Sequence, residues 1–87
     1  MQDMQAIITR KLTDALHPIS LEVINESHLH AGHAGSPGSG QSHFRVIIIS
    51  ASFAGKSRIA MQQAVYAILQ EEMKTSIHAL SIKASAA

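Results

Sequence analysis

Cysteine is absent from this sequence, which excludes disulfide staples, thiolate metal sites and a cysteine nucleophile. A small domain without staples suits a reducing compartment. Tryptophan is missing too, and aromatic residues together make up 3% of the chain. Aliphatic side chains and methionine must therefore build the core. Charge is scarce: 7 lysines and arginines against 6 aspartates and glutamates leave a net +1 with neutral histidines. That balance does not announce nucleic-acid binding, which would need a local basic patch. The longest stretch of branched aliphatics, Val46–Ile49, falls far short of the ~20 residues that a membrane-spanning helix needs. Met1–Arg10 opens on polar residues and lacks the apolar centre of a signal peptide. The expectation is a soluble, cytoplasmic protein.

What is present suffices for one domain, taken as residues 1–87, with 46% hydrophobic residues to fill a core. Met4, Ile7, Ile8, Leu12, Ala15 and Leu16 recur at helical spacing, so the pattern predicts an amphipathic helix from Asp3 to Leu16. His17-Pro18 stops it, because the residue before proline is pushed out of the α region. Ile19, Leu21 and Val23 alternate with polar residues as in a half-buried strand. From His28 to Ser42 glycine, serine and histidine dominate, the composition of a flexible loop. A loop this long in a small domain is usually functional or mobile.

His43–Ser50 reads as a second strand, apolar on both faces towards its end and therefore central, paired with the first as an antiparallel hairpin. After the turn around Gly55, with Ser57 as N-cap, Met61, Ala64, Val65, Ile68, Leu69 and Met73 form one helical stripe. Lys74 sits in its last turn, where a cation suits the helix dipole. Ile77–Ala84 alternates as a last strand that places His78, Leu80 and Ile82 on an apolar face; Ser85-Ala86-Ala87 has nothing to anchor it. The fold class is α+β, with helices covering one face of a three-stranded sheet.

Catalytic patterns are incomplete. Gly55-Lys56-Ser57 ends like a phosphate-binding loop, but the glycine required five positions earlier is Ser50. No serine stands in a nucleophile elbow. Glu71 and Glu72 would point in different directions on a helix, and Glu22, Glu26, Asp3 and Asp14 read as surface. The chain is not expected to be an enzyme.

Histidine is the distinctive residue: 6 are present, and four lie between His28 and His43. Neutral imidazole binds zinc, iron or copper. His30 and His33 share the glycine-rich loop, and His78 opens the last strand. Two histidines are half a tetrahedral set, so something else would supply the rest. The plainer readings are a hydrogen-bonded core histidine at 78 and solvated histidines in the loop; His17 and His28 read as surface, and His43 as stabilising a strand end. Arg45, Lys56, Arg58 and Lys83 could form a basic patch at the Gly55 turn. A helix N-terminus with adjacent cations can hold phosphate, but no aromatic platform accompanies it, and a solvated rim is the plainer reading.

Four segments in order carry a likeness: Asn25-Glu26-Ser27-His28-Leu29-His30, Ser42-His43-Phe44-Arg45-Val46, Ser52-Phe53-Ala54-Gly55-Lys56-Ser57 and Ile77-His78-Ala79-Leu80-Ser81-Ile82. Together they resemble the BolA family, through nearly the whole chain. The resemblance implies a class II KH-like fold, α-β-β-α-(short helix)-β, without the KH nucleic-acid loop; here too no Gly-x-x-Gly precedes a basic helix. It implies pairing with a monothiol glutaredoxin and a shared 2Fe-2S cluster, with the glutaredoxin and glutathione contributing sulfur ligands. The BolA side would contribute His78 and a loop histidine, either His30, which fits the Glu-Ser-x-x-His pattern, or its rival His33. No cofactor is expected in the isolated protein. Histidine ligation would make the complex pH-sensitive.

Some BolA-like proteins are DNA-binding transcriptional regulators linked to stress and cell shape. That implies the alternative, a DNA contact through Arg45, Lys56 and Arg58. The arginine–histidine pair usual in that role is replaced here, where Met61-Gln62-Gln63 stands.

Overall fold

A computed structural model describes residues 3–26 and 43–86 of the chain. Helix α1 spans Met4–Leu16, and the Asp3 carboxylate caps it by accepting from the Gln5 N–H at 3.1 Å. The helix ends on His17, whose φ of 44° and ψ of 57° are left-handed. Pro18 does keep His17 out of the right-handed α region, and the chain resolves the conflict in a region that costs a residue with a Cβ about 1 kcal/mol or more. His17→Gly is therefore expected to stabilise the domain by about 1 kcal/mol, raising the thermal midpoint by about 5 °C. A thermal melt monitored by circular dichroism checks this; an unchanged or lowered midpoint would show that the αL turn carries no strain.

Strand β1 (Ser20–Asn25) runs antiparallel to β2 (His43–Ile49), with Val23 opposite Val46. Strand β3 (Ala79–Ser85) lies on the far side of β2 and parallel to it, in the order β1-β2-β3. A parallel neighbour needs a crossover, and α2 (Arg58–Ile68) with α3 (Gln70–Thr75) supplies it. The α+β class and the central place of β2 are thus as the sequence indicates. The segment from His28 to Ser42, with His30 and His33, lies outside the described residues.

One sheet face carries Phe44, Val46 and Ile48 from β2 with Val23 and Leu80 from its neighbours, all buried. Ile8 and Leu12 of α1, Val65 of α2 and Leu69 cover it. Ile47 and Ile49 turn to the opposite face, half-buried. Between β2 and α2, a 3-10 turn at Ala51–Phe53 drives the Phe53 ring into the core. Its anchor is the buried Ser50, whose hydroxyl donates to the Leu16 carbonyl at 2.7 Å and accepts from the Ser52 N–H at 3.1 Å.

Several expectations need correction. The apolar stripe from Met61 to Met73 is two helices, broken at Leu69 (φ −99°, ψ 18°), whose side chain the core takes whole. The short helix implied by the family likeness is α3. Ile19 precedes β1 and is 69% exposed, so the alternation with Leu21 and Val23 does not carry it into the core. The last strand begins at Ala79, since the chain bends at His78 after Ile77 enters the core. Ser85 is anchored: its carbonyl accepts from the Ser50 N–H at 3.1 Å.

Glu72 is buried at the α3–α1 contact, where Lys11 donates to its Oε2 at 2.6 Å. Its Oε1 has no partner among the described residues. Lys11→Met should destabilise by about 2 kcal/mol, because it strands a carboxylate in a poorly solvated site. Lys11→Met with Glu72→Leu should recover most of the loss in a urea titration. A double variant no more stable than the single one would contradict this assignment.

Candidate functional site

Chemistry-bearing side chains gather where β2 and β3 begin. Their parallel register sets His43 opposite Ala79, so His78, one residue earlier, stands beside His43. The two imidazole centroids are 6.4 Å apart with 21° between the ring planes. His78 is exposed and His43 half-buried. This corrects the expected setting of His78: it lies ahead of the strand and in solvent, because Ile77 takes the inward position.

Three of the other four histidines, His28, His30 and His33, fall in the segment that joins β1 to β2; His17 ends α1 and is not among them. The Glu26 N–H donates to the His43 carbonyl at 2.8 Å, closing the β1–β2 ladder. The segment bearing His30 and His33 therefore departs and returns at that edge, although those two residues lie outside the described structure. Among the described residues no group of three or more histidine, aspartate or glutamate side chains could hold a metal ion. Two imidazoles are donors of the right chemistry for iron or zinc, but they leave the coordination shell incomplete.

His43 is the member that the strand pattern missed. Reading the first two strands as a hairpin leaves the third unplaced; a crossover through helices makes it parallel, and counting back from the register then sets 43 beside 78.

The four basic residues do not form one patch: Arg58 and Lys83 line a common groove between α2 and β3, and Arg45 stands apart from it. The Arg45 Nε donates to the Glu26 carboxylate at 3.0 Å on the helix-free side of the sheet. Arg45 stands four positions before Ile49, about 13 Å along the strand from the turn that leads to Lys56 and Arg58. Arg58 opens α2, where the Ser57 hydroxyl accepts from the Ala60 N–H at 3.1 Å. Gly55, at φ 79°, takes the left-handed conformation that its turn requires. No helix among the described residues is long and apolar enough to cross a membrane.

A family model for BolA-like protein matches residues 12–87. An uncharacterized protein of Sinorhizobium sp is 49% identical over 80 residues, covering 91% of this chain and 86% of the relative. The DNA-binding transcriptional regulator BolA of Haemophilus influenzae is 39% identical over 79 residues, 91% of this chain and 73% of that protein. The structure of the BolA domain of SufE1 from Arabidopsis thaliana superposes with a TM-score of 0.88 at 38% identity, over 99% of this chain and 94% of that one. The chain spans 22% of the full SufE-like protein 1.

Proposed function

The chain belongs to the BolA-like family, and from that premise we propose that it is a non-enzymatic partner of a monothiol glutaredoxin in iron–sulfur cluster handling. The observation that carries the reading is the exposed His78, placed beside His43 at the sheet end that also tethers the segment of His30 and His33. Exposed imidazoles suit a ligand set completed by a second protein, because a docking partner can reach them without opening the core. The donor chemistry fits iron, and its incompleteness within the described residues fits a shared site.

The 2Fe-2S cluster is cargo of the pair. His78 with His30 or His33 would hold one side, and the glutaredoxin and glutathione would supply sulfur. The cluster supplies electron-transfer or iron-signalling chemistry; this chain supplies neutral imidazoles and a docking surface. The test is anaerobic mixing with a monothiol glutaredoxin, iron, sulfide and glutathione. The expected result is a visible absorption and circular-dichroism spectrum distinct from that of the glutaredoxin alone, in a fraction that co-elutes with both proteins. An unchanged spectrum without co-elution sinks the reading.

The Haemophilus influenzae relative, named as a DNA-binding regulator, supports a second reading with Arg45, Lys56 and Arg58 as phosphate contacts. It requires sequence-selective duplex binding with a log–log salt slope of about −3 for three neutralised phosphates. Binding that ignores sequence, or vanishes at physiological salt, counts against it.

A further inference from the structure

The sheet order leaves β3 as an edge strand, with one side unpaired. Successive residues of a strand turn their backbone groups to opposite sides, and two hydrogen bonds fix the phase. The Ser85 carbonyl points to the β2 side, where it meets the Ser50 N–H. The Leu80 carbonyl points the other way and accepts the Tyr66 hydroxyl at 3.1 Å. Ile82 and Ala84 share the phase of Leu80, so their N–H and C=O groups face the free edge. Tyr66 blocks the ladder at Leu80; beyond it a groove of about 520 Å³ opens between β3 and the first turn of α2. Its lining is Arg58, Met61, Ser81, Ile82, Lys83 and Ala84.

We propose that this groove receives an extended peptide of a partner protein, with alternating apolar and acidic residues, as a fourth strand on β3. Unsatisfied edge groups are a template for strand addition, and pockets beside them select side chains. On the helix side the peptide meets Met61, Ile82 and Ala84 as an apolar floor, with Arg58 at its rim. On the other side it lies across from Lys83 and Ser81, where a carboxylate makes a favourable cross-strand pair. No carboxylate lines the groove, and among the described residues neither Arg58 nor Lys83 has an acidic partner.

Charge also decides against a second copy: β3 carries Lys83 and no acid, so two such edges would bring lysines together. The absence of an aromatic residue from the lining removes the stacking platform of a single-strand binder. The groove's lining runs along β3 from Ser81 to Ala84, about 7 to 17 Å from Ala79, so peptide binding there is tested without cluster binding.

The experiment is a titration of the isotopically labelled chain with synthetic peptides of about six residues, a typical strand length, followed by amide chemical shifts. The probes alternate valine with glutamate, or valine with lysine. Shifts are expected with the glutamate peptide alone, centred on Ile82, Lys83, Ala84, Arg58 and Met61. Arg58→Glu with Lys83→Glu should weaken binding by about tenfold. Ala84→Pro removes one edge N–H without touching the ladder to β2 and should abolish it. If that variant fails to fold, a peptide N-methylated on its pairing edge asks the same question of the wild-type chain. Four results overturn the proposal: equal binding of the lysine peptide, no shifts at millimolar peptide, full binding by the N-methylated peptide, or shifts at these residues caused by oligothymidylate and not by peptide.

Discussion

Phe53→Ala should remove about 3–5 kcal/mol of stability, the largest single-residue loss expected in this domain. The ring is fully buried and belongs to the 3-10 turn at Ala51–Phe53, not to an α-helix or strand. Its surroundings cannot collapse easily: Ser50 ties the turn to the Leu16 carbonyl, and Phe44, Ile8 and Leu12 are held on rigid elements. The cavity therefore persists, and its cost adds to the lost transfer free energy. Against a total of about 5–15 kcal/mol for small proteins, the variant should be partly unfolded near body temperature. Urea denaturation followed by circular dichroism measures it. A loss below about 1 kcal/mol would mean that the turn is a surface feature and the core closes without it.

His78→Ala should have the opposite profile: no loss of fold and complete loss of the mixed cluster spectrum. The side chain is exposed ahead of β3 and makes no core contact, so stability should stay within about 0.5 kcal/mol. His43→Ala separates a ligand from a neighbour. If His43 only orients the adjacent ring, its loss should distort the circular-dichroism bands and leave the cluster bound. Single replacements of His30 and His33 decide which completes the set, since one should abolish the spectrum and the other leave it. Acidification should release the cluster as well, because protonated imidazole has no lone pair for iron. A cluster that survives His78→Ala contradicts the ligand assignment, whatever the effect of the loop variants.

Local pattern made most of the elements legible. The spacing from Met4 to Leu16, the alternation of Phe44, Val46 and Ile48, and Ser57 as a cap all act through nearest neighbours, and all appear as read. The misses have tertiary causes. The stripe from Met61 to Met73 looks continuous because burial of Leu69 preserves the apolar phase through the break. Nothing local marks Glu72 as buried, because its partner is Lys11, 61 positions away. Ile19 reads as buried because alternation assigns a face and says nothing of how deeply each position on it is covered. At the candidate site, residue chemistry singled out His78, and pairing it with His43 required the parallel register, which no local window contains.

The most direct test of the central claim is pulsed electron paramagnetic resonance on the reduced mixed complex, with histidine nitrogens isotopically labelled in this chain only. Shared ligation requires a nitrogen hyperfine coupling that changes with the label and disappears in the His78→Ala protein. A cluster signal without any label-sensitive nitrogen coupling would mean that the iron is held by the partner and glutathione alone, and the proposed role of His78 would be wrong.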